Sequence, residues 1–199
     1  MTAQRPAMDK EPEREQAENL PENDVVAVLL RQHAEIRALF GEVRSAEDDQ
    51  KKDAFDRLRA LLAVHETAEE MVVRPVAQDM AGKEETDARN QEEHEANKTL
   101  SHLENLDVTS QEFEAKLAQF EQAVLSHAQH EEMEEFPALR KGCTPEQLQK
   151  MGKRLAAVEK LAPTHPHPTT AGSPMAQWTV GPFASVLDRA RDALSSSRA

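Results

Sequence analysis

His65-Glu66-Thr67-Ala68-Glu69-Glu70, followed by Pro75, reads almost the same as His127-Ala128-Gln129-His130-Glu131-Glu132, followed by Pro137. Both stretches fit His-x-x-x-Glu-Glu-x-x-x-x-Pro. The residues around each copy set its structure. Leu58, Leu62 and Val72 share a helical stripe with His65 and Glu69, and Phe113, Leu117, Phe120 and Val124 share one with His127 and Glu131. Residues four apart lie on one helix face, roughly 6 Å along the axis at about 1.5 Å rise each. Each His–Glu pair therefore projects where a helix normally buries leucine. A lone carboxylate there would cost several kcal/mol, and a cation removes that cost.

The repeat extends upstream. His33 lies 32 residues before His65 and His94 lies 33 before His127, and each is followed six residues on by a leucine, Leu39 or Leu100. The chain thus reads as two helix hairpins with one polar pattern. Helix one is expected from about Asp24 to Arg44, with stripe Val26, Leu29, Leu30, Ile36, Phe40 and Val43. Helix two is expected from about Asp49 to Val73, where Pro75 interrupts or ends it. Helix three lies near 84–106. Helix four starts at Thr109, which can form a capping box with Glu112. Thr144-Pro145-Glu146-Gln147 opens a fifth helix running to about Leu161. The expected fold class is all-α: an up-down-up-down antiparallel four-helix bundle with a fifth helix and a Pro-rich C-terminal extension. Residues 1–23 read as a disordered acidic arm, 24–161 as the helical domain, and 162–199 as a Pro-rich linker or strap ending in a short amphipathic stretch, Phe183 to Leu194.

Composition agrees and excludes. Charged residues make up 31% and aromatics 4% of the 199 residues, with no Tyr. A net charge of −13 argues against nucleic acid as a partner, since phosphate recognition needs a basic face. Cys143 is the only cysteine, so neither an intrachain disulfide nor a thiolate metal cage can form. No apolar run reaches the ~20 residues of a membrane span, and the N-terminus lacks a signal-peptide core. A cytoplasmic protein without membrane contact is expected.

The residue types constrain the metal. Imidazole and carboxylate without sulfur suit iron, manganese or zinc, and two carboxylates facing each other across a bundle can each bridge a pair of cations. The expected cofactor is two iron ions, with manganese or zinc less favoured. At His33, His65 with Glu69, His94, and His127 with Glu131, the chain resembles the hemerythrin family, specifically its HHE cation-binding branch, over about residues 24–140. The resemblance implies an up-down bundle in which the two glutamates bridge the irons. The sequence departs from oxygen-carrying members, which have a second His one turn after the helix-three His; here that position is Lys98. They also place the last carboxylate five residues after the helix-four His, which here is Glu132. Helical angle turns Glu132 away from the stripe and favours Glu131. Glu66 can replace the missing histidine, or water can. The metal set is therefore His33, His65, Glu66, Glu69, His94, His127 and Glu131. His130 reads as a surface or supporting residue, and the Glu84-Glu85 and Glu92-Glu93 runs read as solvated faces.

Three functions remain open on these residues. One is a di-iron protein binding or sensing dioxygen, nitric oxide or peroxide. Another is an enzyme decomposing peroxide or handling iron, and the third is a structural bundle without metal. The same ligand set serves binding and turnover alike.

Overall fold

The computed structural model describes residues 12–160. Those residues are helical, with no strand among them: α1 (Pro12–Glu18), α2 (Val25–Ser45), α3 (Asp48–Val72), α4 (Arg74–Ala81), α5 (Lys83–Leu103), α6 (Gln111–His130), a π-helical turn at Glu131–Glu135, α7 (Phe136–Gly142) and α8 (Pro145–Glu159). Helices α2, α3, α5 and α6 make the four-helix bundle, with α2 against α3, α5 against α6, and α2 touching α6. Helix α8 closes one side by packing on α2 and α3. The C-terminal extension from residue 161 onward, with the stretch Phe183 to Leu194, lies outside the described residues.

Local chemistry accounts for most boundaries. Asp24 caps α2, accepting from the Val26 amide at 2.9 Å. Thr144 and Gln147 form the expected reciprocal box at the start of α8, with amide contacts of 3.3 and 2.7 Å. Helix α6 departs from expectation: Ser110, not Thr109, is its cap, accepting from the Phe113 amide at 3.1 Å. Thr109 is instead drawn into a turn by Asp107, whose carboxylate accepts from its amide and hydroxyl. Pro75 interrupts rather than ends the second helix. The chain breaks at Val73 and restarts at Arg74, placing Pro75 in a first turn where its missing N–H costs nothing. Pro137 does the same in α7, and the short helices α4 and α7 pack on each other. Gly82, at φ 98°, makes the turn from α4 into α5 in a backbone region other residues avoid.

The N-terminal arm also departs from expectation. Part of it forms the two-turn helix α1, which lies along α2 with Ala17 buried and Leu20 packed on the same cluster, and Glu13 pairs with Arg37 at 3.5 Å. Few apolar residues suffice because α2 already supplies the surface.

Two apolar clusters fill the interior. One holds Val26, Leu29, Leu30, Ala68, Val72, Val73, Phe136, Leu139 and the inner face of α8. The other holds Ile36, Phe40, Val43, Phe55, Leu58, Leu62, Leu100, Leu103, Phe113, Leu117, Phe120 and Val124. Along α2 the clusters are parted at His33, along α3 at His65 and Glu66, and from α6 into the π-helical turn at His127 to Glu131. A polar layer thus crosses the core at one height.

Gly152 marks the tightest seam. A Cβ there would lie 2.1 Å from the Asn23 carbonyl oxygen and 3.1 Å from the Val25 amide nitrogen, both backbone. Gly152→Ala is expected to destabilise the fold by roughly 1–3 kcal/mol through overpacking, outweighing the ~1 kcal/mol that Ala gains over Gly in a helix. Urea denaturation checks this, and a stabilised variant would contradict the seam.

Candidate metal centre

Three imidazoles enter the polar layer from three helices, each held the same way. His33 Nδ1 meets Glu132 Oε1 at 2.7 Å, and Arg37 steadies that carboxylate at 3.1 Å. His65 Nδ1 meets Gln32 Oε1 at 2.8 Å, and Gln32 in turn donates to Glu159 of α8. His127 Nδ1 meets Glu92 Oε2 at 2.9 Å, and the other oxygen of Glu92 meets His130 at 3.0 Å. With Nδ1 occupied outward, each ring turns Nε2 inward. His33 Nε2 lies 3.4 Å from Glu131 Oε2, His127 Nε2 lies 3.2 Å from Glu131 Oε1, and His65 Nε2 lies 3.7 Å from Glu69 Oε2. This is how proteins orient histidines for metals.

The inward atoms form two donor groups, one of His33, His65, Glu69 and Glu131, the other of Glu66, Glu69, Glu93 and His127. Within each group the donor atoms lie within 4.8 Å of one another. Glu69 belongs to both, and Glu131 faces a histidine of each. Glu69 and Glu131 are wholly inaccessible to solvent at 0%. Both oxygens of Glu69, Glu93 Oε2, Glu131 Oε2, Glu66 Oε2 and the Nε2 atoms of His33 and His127 are buried without a hydrogen-bond partner. Such orphaned groups cost about 1–3 kcal/mol each, more when charged. Native folds tolerate them where something else completes them, and this oxygen- and imidazole-rich donor set fits a pair of divalent transition-metal ions.

Electrostatics reflect the crowding. Burial, reinforced by Glu131, lifts Glu69 well above the ordinary carboxylate range. Burial and Glu93 do the same to Glu66. Burial works against ionisation of Glu131 too, but His127, His33 and Arg74 hold it well below that range. His65 is pushed down to about 3 by burial and by the neighbouring His33. His127 and His33 rise despite burial, because Glu131 pairs with both, Glu92 with His127 and Glu132 with His33.

These directions give the metal-free chain an expected pH response. Burial lifts Glu135 from 4.5 to about 7, partly offset by Arg74, so its ionised form opposes folding and that opposition fades as pH falls from 7 to 4.5. Glu66, Glu69 and Glu93 are raised in the same sense. The raised His33 and His127 contribute stability that is full below 6.5 and lost as pH climbs through their folded values. His65 opposes, its contribution being present above 6.5 and lost toward about 3. Glu131 and Glu132 lose theirs only below 4.5. Chelator-treated protein is therefore expected to melt higher at about pH 5.5 than at about pH 7.5. Metal should reverse that order, since ligands must be deprotonated to bind. Thermal melts at both pH values, with and without metal, check this; a metal-free chain more stable at the higher pH would contradict it.

Six of the seven residues expected from sequence come together: His33, His65, Glu66, Glu69, His127 and Glu131. The structure does not bring His94 into either group, and Glu93 stands there instead. The buried face of α5 runs through Thr86, Arg89, Glu93, Leu100 and Leu103, and His94 is one residue off it. Leu100 and Leu103, seven and ten residues on from Glu93, carried that signal in the sequence. Glu93 is 1% exposed, so the Glu92-Glu93 run is not a solvated face. Nor does Glu132 point idly away: it lies in the π-helical turn and holds His33. Arg74 was not foreseen at all. It is buried, and its guanidinium reaches Glu69, Glu93, Glu131 and Glu135.

A narrow cavity with room for about one water-sized molecule adjoins the three histidines, walled by Ile36, Leu62, Val124, Leu125 and Ala128 together with the charged Arg37 and Glu66. Among the described residues no helix is long and apolar enough to cross a membrane.

The family model for the hemerythrin HHE cation-binding domain matches residues 24–139. An uncharacterized hemerythrin-like protein of Schizosaccharomyces pombe is 24% identical over 168 residues, 82% of this chain and 83% of that protein. A protein named as a DNA nickase from a Nostoc species is 26% identical over 133 residues, 66% of this chain but only 38% of that one. Among solved structures, a hemerythrin HHE cation-binding domain-containing protein from Mycobacterium kansasii superposes with a TM-score of 0.61 at 21% identity, covering 82% of this chain and 96% of that one. The last likeness concerns the fold.

Proposed function

The chain belongs to the hemerythrin HHE cation-binding family, and from that premise we propose that it is a non-haem di-iron protein that binds or senses a small oxidant: dioxygen, nitric oxide or peroxide. The observation that carries the reading is the common posture of His33, His65 and His127, each tied outward through Nδ1 and turned inward through Nε2 onto shared carboxylates. Imidazole with carboxylate and no thiolate suits iron, manganese or zinc, and of these iron is the one whose redox chemistry matches small oxidants. When bound, the iron pair supplies an electron-donating, Lewis-acidic centre for such a ligand.

The chain's own residues do the rest. Glu69, which belongs to both donor groups, and Glu131, which faces a histidine of each, would hold the two ions. Gln32, Glu132 and Glu92 fix the tautomer and tilt of the three rings. Ile36, Leu62, Val124 and Leu125 keep the adjoining space narrow, which favours a diatomic molecule or peroxide over an organic substrate. Tyr is absent from the chain, so no tyrosine ligand or radical takes part.

Reconstitution tests the reading. Metal-free protein incubated anaerobically with ferrous ion and desalted is expected to retain about two irons per chain, and to show a near-ultraviolet band on oxidation that changes with peroxide or nitric oxide. A chain that retains no metal under these conditions would overturn it.

A further inference from the structure

Arg74 sits where a cation is wanted and is already one. Its Nη1 lies 2.6 Å from Glu135 Oε2. Its Nη2 lies 3.1 Å from Glu131 Oε1 and 3.7 Å from Glu69 Oε2, and donates to Glu93 Oε1. Glu69, Glu93 and Glu131 all face the metal donor groups, whereas Glu135 belongs to neither.

The guanidinium does not treat the two groups alike. Glu131 turns Oε2 toward His33 and Oε1 toward His127. Arg74 engages Oε1 and leaves Oε2 without a hydrogen-bond partner. Glu93, which belongs only to the group of His127, gives Arg74 its Oε1. On the side of His33 and His65 Arg74 makes no hydrogen bond and only approaches Glu69 Oε2 at 3.7 Å, whereas on the side of His127 it hydrogen-bonds Glu93 Oε1 and Glu131 Oε1 and leaves Glu93 only its Oε2 unpartnered. Charge bears on the same point: Glu66, Glu69, Glu93, Glu131 and Glu135 are five carboxylates, and two divalent ions with one guanidinium match them.

We propose that Arg74 is an internal cation that makes the two metal positions unequal, so that the position of His33, His65, Glu69 and Glu131 fills first. The position of Glu66, Glu69, Glu93 and His127 fills second, as Arg74 gives up Glu93 and Glu131 and keeps Glu135. Arg74 is then a positioning residue: it holds the glutamates in place before metal arrives and sets the affinity of the second site. The inference rests on the two-metal reading above but adds an order and a residue to it.

Anaerobic titration of the metal-free full chain with ferrous ion, followed by calorimetry, tests it. Wild type should bind in two steps. Arg74→Gln should tighten the second step by roughly tenfold or more while leaving the first within a few-fold, because the positive charge hydrogen-bonded to Glu93 and Glu131 has gone. Glu135→Gln should act oppositely, weakening the second step, since Arg74 then lacks the carboxylate it retreats to. Opposite shifts confined to one step are not what a general loss of structure gives. Two equal steps in wild type, or variants that shift neither step or shift both alike, would overturn the role of Arg74 while leaving the metal centre standing. Should Arg74→Gln fail to fold, Glu135→Gln alone decides between these outcomes. Wild type that takes up no metal would instead overturn the metal reading itself.

Discussion

Glu69→Ala is expected to strip both metals from the chain, the largest single-residue effect on binding. Glu69 is the one side chain shared by both donor groups, and both its oxygens are buried without a hydrogen-bond partner. Removing it takes a ligand from each position at once, whereas His33→Ala would spare the Glu66, Glu69, Glu93 and His127 group. The effect on stability should depend on metal. In the metal-free chain the carboxylate resists ionisation because burial and Glu131 penalise its charge, so its loss should cost little or raise the melting temperature. In metal-supplemented buffer the wild type gains stability by mass action, about 4 kcal/mol at a thousandfold excess over the dissociation constant, and the variant should not. Elemental analysis of the desalted proteins, with melts in chelator and in metal, reads both effects. Retention of the full metal complement by Glu69→Ala would show that Glu69 does not bridge.

Phe40→Ala is expected to cost about 3–5 kcal/mol of folding stability while leaving metal stoichiometry unchanged in the molecules that remain folded. Phe40 is fully buried, packs on Phe120 at 5.7 Å between ring centroids, and lies in the apolar cluster beyond Ile36 rather than in the polar layer. Urea denaturation gives the first quantity and metal analysis at low temperature the second. The contrast with Phe136 is instructive. That ring stacks on His33 at 5.6 Å, so truncating it should disturb the imidazole as well as the core. If Phe40→Ala lost metal as readily as Glu69→Ala, the apolar cluster and the polar layer would not be the separate units their arrangement implies.

The fold was largely legible because helical periodicity is a local signal. The stripe from Val26 to Val43, the box at Thr144 and the proline breaks each follow from residues within a turn or two of one another. Within the arm, α1 departs from the expectation for the complementary reason: it owes its order to the surface of α2, which no local pattern displays. The capping of α6 shifted by one residue because Asp107 competed for Thr109.

By itself the sequence determined that two His–Glu pairs and a preceding His33 must share the interior of a bundle, since i,i+4 spacing and apolar neighbours leave them no other face. On the third helix the repeat register points to His94, with Glu93 read as solvated, and only the packed rotation of α5 brings Glu93 into a donor group instead. Arg74, and the outer partners Gln32, Glu132 and Glu92, likewise came from tertiary structure. They meet the site from different helices, and contacts between segments depend on axial rotation and offset, which chain-local spacing does not encode.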